Sequence, residues 1–263
     1  MRINKFDTNA LNQLSVSALK FLKPDDPGLR KIAKKIPQDQ INSLGTIQII
    51  ETMLGIARKE QKSQDKPIMV GLAAPQIGIL KRIILVDIEA DGKSLPRRLS
   101  VKKNQSKNKA GKVRNLRISL PKKDIPLKGL KVYINPEIVW QSKKEGEWYE
   151  GCYSTGRICG IVSRPIAVKI KAIVLKNPSV KSLPSHDANT TSGNTQPIWS
   201  IVEEKHTGYT ARIFQHEVDH LNGKLFIDHI KDQNNLHWVK ESEFPLYKQC
   251  WKNWPKKHPL PLA

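Results

Sequence analysis

The chain has 263 residues, 45 of them Lys or Arg and 24 Asp or Glu, which gives a formal charge of +21 at neutral pH. That length can bury a real core, and no apolar run approaches the roughly 20 residues that a bilayer-spanning helix needs, so a membrane span is excluded. The charge reads either as attraction to an anionic partner such as RNA, the ribosome or an acidic membrane surface, or as solvated surface alone, and charge by itself does not choose. Three cysteines and no export signal exclude a disulfide framework and point to a reducing, cytoplasmic setting.

Residues 1–16 are polar and weakly patterned, an N-terminal extension. Pro24-Asp25-Asp26-Pro27-Gly28 predicts a turn, and a basic segment over 29–36 ends at Pro37. From Asp39 a helix is expected, with Ile41, Leu44, Ile47, Ile50, Met53, Leu54 and Ala57 forming its apolar stripe. Residues 67–78 hold too many small residues, glycines and prolines for a helix or a core strand. There Gly71, Ala73 and Ala74 let the backbone approach something closely, and Gln76 brings a polar group beside it. A buried strand is expected over 79–88.

Residues 90–129 include a lysine-rich run with little to bury and predict a surface insertion, solvated or in contact with RNA. A strand interrupted at Asn135-Pro136 is expected over 132–139, and Cys152 follows a glycine as a candidate metal ligand. Strands over 166–175 and 198–203 alternate well enough to pair, and a second insertion over 177–197 separates them. A short strand is expected over 224–228. The tail over 232–263 carries Trp238, Trp251 and Trp254 among lysines and prolines, a helix and an irregular wrap that packs on the domain.

Residues 207–222 predict a helix. Thr207-Gly208 offers a start, Ile213, Phe214, Val218 and Leu221 recur at helical spacing, and Asn222-Gly223 is a stop. His216 and His220, four apart, project from one face, as one metal ion requires of two imidazoles. Glu217 between them can reach a metal-activated water without being a ligand, so H-E-x-x-H reads as a metal site with its general base. The competing reading is a pair of polar histidines on an amphipathic helix.

Three separated stretches, Gly71-Leu72-Ala73-Ala74-Pro75-Gln76, Glu150-Gly151-Cys152 and Gln215-His216-Glu217-Val218-Asp219-His220, resemble in this order the three signature motifs of the peptide deformylase family. Residues 134–137 and 221–228 resemble the flanking sequence. The likeness covers neither the first residues nor the tail. We therefore expect an α+β fold, a catalytic domain over 17–231 whose mixed, mostly antiparallel sheets pack around a central metal-binding helix.

The resemblance implies a metal-dependent hydrolase that removes the formyl group from the N-terminal formyl-methionine of nascent polypeptides. It implies that Cys152, His216 and His220 bind one divalent ion and leave a fourth position for water. Glu217 acts as general base and then acid. The Gln76 side chain and the backbone N–H of Tyr153 stabilise the developing oxyanion, and Val70, Gly71 and Ile213 contact the substrate. Fe(II) is the family's usual ion, and a thiolate with two imidazoles also suits Zn(II), Ni(II) or Co(II). Cys159 and Cys250 are given no ligand role.

Two positions depart from the family pattern. Met69 stands where a glycine is common, and is expected to crowd the substrate's approach. Tyr153 stands where a leucine is common, and is expected to keep the backbone donor while reshaping the cleft. The alternative reading is a catalytically impaired deformylase-like protein that binds RNA or the ribosome through its basic surface. A general metallopeptidase fits the Cys ligand and the 71–76 loop poorly.

Overall fold

The computed structural model describes residues 21–62, 69–92, 129–175 and 199–257. The extension over 1–16, most of the 90–129 insertion and all of the 177–197 insertion lie outside these residues. The described elements are α1 (Leu44–Lys62), β1 (Gly71–Ala73), β2 (Ile83–Asp87), β3 (Leu130–Gln141), β4 (Glu145–Gly151), β5 (Ile158–Pro165), β6 (Ala167–Leu175), β7 (Trp199–Thr207), α2 (Gly208–Leu221), β8 (Leu236–Trp238) and α3 (Phe244–Cys250).

Two sheets hold them together, one in the order β1-β2-β3-β6-β7 and one in the order β4-β5-β8. Every pair of neighbouring strands is antiparallel. The α+β expectation therefore holds in its coarse form, mixed helix with antiparallel sheet.

β2 shows why the larger sheet sits where it does. Its first four residues are fully buried, and because side chains alternate along a strand, Ile83 and Leu85 join the cluster under α1 while Ile84 and Val86 join the cluster under α2. The sheet thus carries a helix on each face. α2 is buried nearly all round, from Ala211 to Val218 and again at His220 and Leu221. It touches both sheets, with Ala211, Phe214, Val218 and Leu221 against the larger one and Gln215 Nε2 donating to the carbonyl of Pro165 on β5 at 2.9 Å.

Its C-terminal end is satisfied from outside. Arg82 Nη1 donates to Asn222 Oδ1 at 2.9 Å and reaches Leu221 O, a cation placed on the last carbonyls of a helix. Gly223 adopts φ 69°, and a side chain there would collide with the backbone of Arg30. Only glycine fits both demands.

Several expectations need correction. α1 starts at Leu44, five residues later than expected, because Ser43 and not Asp39 is its cap: Ser43 Oγ accepts from Thr46 N at 3.3 Å, while Asp39 lies in a short 3-10 turn over Gln38–Gln40. The 67–78 stretch does contain a strand, the three-residue edge strand β1, followed by a 3-10 turn over Ala74–Ile77. The strand expected over 79–88 is shorter, Ile83–Asp87. Asn135-Pro136 does not interrupt β3. Asn135 takes φ 51° at a register shift, and its side-chain amide bonds both backbone groups of Ile36 at 2.8 Å, so the strand continues past a bulge.

Residues 224–228 are not a strand. Asp228 Oδ2 accepts from Leu225 N at 2.8 Å and from Arg30 at 2.6 Å, which folds Phe226–His229 into a 3-10 turn. The described part of the tail packs on the domain as expected, but a 3-10 turn over Gln233–Asn235 leads it into a strand, β8, paired to β5. Trp251 and Trp254 are then buried with Tyr149, Cys159 and Tyr247. The expected pairing of 166–175 with 198–203 is observed, in continuous register from Ala167↔Thr207 to Leu175↔Trp199.

Candidate active site

α2 presents His216 and His220 toward the turn that follows β4, and Cys152 lies in that turn. The Cys152 sulfur and one ring nitrogen from each histidine lie within 4.8 Å of one another. Cys152 Sγ is 3.3 Å from His220 Nε2, and the two imidazole rings stand 5.0 Å apart. All three side chains are nearly excluded from solvent. A soft sulfur and two imidazoles converging on one buried point are a donor set for a single divalent metal, and three protein ligands leave room for water.

Gln76 stands beside the sulfur. Its Oε1 accepts from Ala73 N at 2.7 Å, so its amide nitrogen is the atom that faces Cys152, at 3.2 Å. Gln76 is itself buried, and a buried donor held in this way is preorganised. Tyr153 follows Cys152 directly, and its half-buried ring packs against the cluster under α1.

Glu217, on α2, lies against β1. A Cβ built on Gly71 would stand 2.3 Å from Glu217 Oε1 and 2.9 Å from Ile213 Cγ2. The close approach expected at Gly71 is therefore to this carboxylate. Glu217 Oε2 is buried without a hydrogen-bond partner among the described residues. Burial pushes the carboxyl up to about 7, with His216 and His220 opposing and Cys152 adding to the rise. Ile213 is buried and Val70 half-exposed in the cluster under α2. Met69 does not line the cleft: it is 1% exposed, packed under α1, so the expected crowding of the substrate is withdrawn.

Behind Cys152, His216 and His220 lies a charged network that sequence reasoning missed. His216 Nδ1 is 2.9 Å from Glu150 Oε2. Glu150 is gripped by Arg164 (2.6 and 3.0 Å) and by Arg212 Nη1 (2.6 Å). Arg164 Nη1 reaches Asp219 Oδ2 at 2.7 Å, and His229 meets the same oxygen at 2.8 Å.

Burial alone would raise the Glu150 pKa, but Arg164 and His216 hold it far below the usual carboxylate range. The ionised Glu150 can only accept, so His216 donates from Nδ1 and turns Nε2 toward the sulfur. Burial would also raise the Cys152 thiol, but His220 and His216 lower it well below its ordinary value. Against burial, Cys152 and Glu150 raise His216. The lowering favours the thiolate form of Cys152, the form that binds a cation.

A signal for part of this network was present. Glu150 and Asp219 sit inside the quoted motifs, and Arg212 lies one helical turn before His216. Arg164 has no such mark.

Comparison with known proteins agrees with this geometry. The family described as Polypeptide deformylase matches residues 18–182 and 198–236. Peptide deformylase from Natranaerobius thermophilus is 31% identical over 212 residues, 79% of this chain and 89% of that protein. The chloroplastic peptide deformylase 1A of Solanum lycopersicum is 29% identical over 233 residues, 88% of this chain, and the match spans 66% of its length. A crystal structure of class I type b peptide deformylase from Acinetobacter baumannii with Met-Ala-Ser bound superposes with a TM-score of 0.54 at 28% identity, covering 81% of this chain and 98% of that one. With its three motifs, its buried Cys-His-His group and these relatives, the chain belongs to the polypeptide deformylase family.

Proposed function

We infer that the protein is a metal-dependent peptide deformylase that hydrolyses the formamide bond of N-formyl-methionyl polypeptides. The observation that carries this is the convergence of the Cys152, His216 and His220 ligand atoms within 4.8 Å of one another. α2 is then the metal-binding helix. The donor set suits Fe(II), proposed as the physiological ion, and also Zn(II), Ni(II) or Co(II). When bound, the metal supplies the Lewis acidity that lets water ionise near neutral pH.

The chain's own residues do the rest. The Glu217 carboxylate accepts the water proton and returns it to the leaving amine nitrogen, a general base that becomes a general acid. Gln76 Nε2 and the Tyr153 backbone N–H donate to the oxygen that gains charge as the formyl carbon becomes tetrahedral. β1 is an edge strand bonded only to β2 among the described residues, so an extended substrate can add along Val70 and Gly71 through main-chain bonds that tolerate many sequences. Ile213 is proposed as part of the methionine-side wall.

The formyl substrate and the +21 charge support a proposed cytoplasmic activity beside ribosomal RNA, where nascent chains emerge. Among the described residues no helix is long and apolar enough to cross a membrane. The impaired-enzyme alternative leaned on Met69 and Tyr153; Met69 is a core residue, and the family comparisons lend the alternative no support. Fe(II)- or Ni(II)-loaded protein is expected to release formate from formyl-Met-Ala-Ser. Absence of turnover at one metal per chain refutes the reading, and cleavage of internal bonds in unformylated peptides would make the protein a general metallopeptidase.

A further inference from the structure

The two proposed oxyanion donors come from distant parts of the chain, Gln76 from the turn after β1 and Tyr153 from the turn after β4, and no pair of neighbouring strands joins those segments. One short segment touches both. Leu22 N donates to the backbone carbonyl of Gln76 at 2.8 Å, and the Phe21 ring stacks on the Tyr153 ring with centroids 5.0 Å apart and planes at 29°. Both rings are partly buried against the cluster under α1.

We propose that Phe21-Leu22 clamps the oxyanion hole and that Phe21 is a positioning residue for the Tyr153 backbone donor. The proposal rests on the deformylase reading and deepens it.

The argument is one of rotation. A backbone N–H has no freedom apart from its peptide plane, so the orientation of the Tyr153 donor is set by the turn and by where the Tyr153 side chain is anchored. The turn fixes one end: Thr155 N donates to Cys152 O at 3.1 Å, and Thr155 Oγ1 donates to the same oxygen at 3.1 Å. Phe21 fixes the other by covering a face of the Tyr153 ring.

A leucine, the common residue after the cysteine in this family, is branched and compact, and buries without a planar partner. A tyrosine offers two broad faces, and an offset stack orients it beyond what area burial alone achieves. The unusual residue at 153 and the aromatic residue at 21 therefore form one device, and Leu22 ties that device to Gln76 so that both donors share an anchor. Oxyanion donors act through preorganisation, so loosening the stack should slow the chemical step and leave ground-state substrate binding alone.

The test is a cycle of Phe21→Ala and Tyr153→Leu, singly and together, with Phe21→Tyr as the conservative rescue and Phe21→Leu as a milder variant should the alanine fold poorly. Four quantities are read on full-length protein: kcat and KM with formyl-Met-Ala-Ser, bound metal per chain, the visible spectrum of the Co(II)-loaded form, and the affinity of a methionine-like peptide hydroxamate. Phe21→Ala is expected to lower kcat by about two- to tenfold, the scale of one aromatic stack. KM, metal content and Co(II) spectrum stay unchanged, and the hydroxamate binds more weakly. Phe21→Tyr restores kcat, and in the Tyr153→Leu background the Phe21→Ala loss shrinks to less than half. An unchanged kcat, an equal loss in both backgrounds, or a loss that tracks metal content overturns the clamp while leaving the deformylase reading intact. An inactive, fully loaded parent overturns that reading, and the clamp with it.

Discussion

Gly71→Ala adds one methyl group at the point where β1 meets α2. The new Cβ would stand 2.3 Å from Glu217 Oε1, 2.8 Å from Glu217 Cδ and 2.9 Å from Ile213 Cγ2. Ordinary contacts begin near 3.5 Å, so the carboxylate has to retreat by about 1 Å or the strand has to lift by as much. Ile213 lies one turn before Glu217 on the same buried face of α2, so helix and side chain are both hemmed in.

A general base displaced by about 1 Å typically loses on the order of 100-fold in rate, and overpacking a buried site costs about 1–3 kcal/mol. Cys152, His216 and His220 are untouched, so the metal stays at one per chain. The assay is steady-state formate release from formyl-Met-Ala-Ser, with metal analysis and urea unfolding on the same preparation. A kcat within twofold of the parent at full metal loading would refute the placement of Glu217 against β1.

Gln76→Leu removes the amide that faces the sulfur and should lower kcat by about 100- to 1,000-fold, with KM nearly constant in the same assay. Glu150→Gln leaves Arg164 and Arg212 buried beside a neutral partner and should cost about 3–5 kcal/mol in urea unfolding, with metal affinity, read by competition with a chelator, weaker by about 10- to 100-fold. Because the folded state holds Glu150 below its unfolded pKa, its stabilisation is complete above the ordinary carboxylate range and is lost as pH falls toward the folded value. The acid limb of the stability curve should therefore flatten in the variant. His237 is fully buried against the Tyr247 hydroxyl at 2.9 Å, and burial, with Lys257, holds its pKa at about 4. The unfolded chain takes up that proton near pH ~6.5, so stability should fall between pH ~6.5 and 4, by up to about 1.4 kcal/mol per unit. Urea unfolding of parent and His237→Gln at pH 7 and pH 5 should show the gap between them shrinking at the lower pH.

The site was legible in the sequence where chemistry is local. His216, Glu217 and His220 share one helical turn, and helix periodicity gave their common face without knowledge of the fold. Gly71 was legible as a close approach, but what it approaches was not, because Glu217 lies 146 residues away in a chain whose strand pairing no periodicity dictates. The errors follow the same division. Asp39 and Ser43 are both good helix caps in isolation, and only the bond from Thr46 N decides between them. Residues 224–228 carry the apolar run Leu225-Phe226-Ile227 and read as a short strand, yet Asp228 bonds back to Leu225 N and outward to Arg30, and a side chain that captures nearby backbone overrides that reading. Met69 was judged by motif position when its burial is set by α1.

The charged network behind Cys152, His216 and His220 explains how the smaller sheet and α2 meet at one candidate metal site. Buried ion pairs seldom stabilise a fold more than apolar residues of the same volume would, so stability alone does not account for burying Glu150, Arg164, Arg212 and Asp219 together. Geometry does. Arg164 lies on β5 and bonds Glu150 on β4 and Asp219 on α2 at once, which locks the sheet that carries Cys152 to the helix that carries His216 and His220. Arg212 makes the lock from the helix side, reaching Glu150, the carbonyl of Val162 on β5 and that of Gly146 on β4. With both guanidiniums on Glu150, that carboxylate stays ionised and the His216 tautomer is fixed. The Nδ1 bond to Glu150 is thus held in place by two arginines from different elements, and the aim of Nε2 at the Cys152 side is a property of the assembled fold and not of the H-E-x-x-H motif alone.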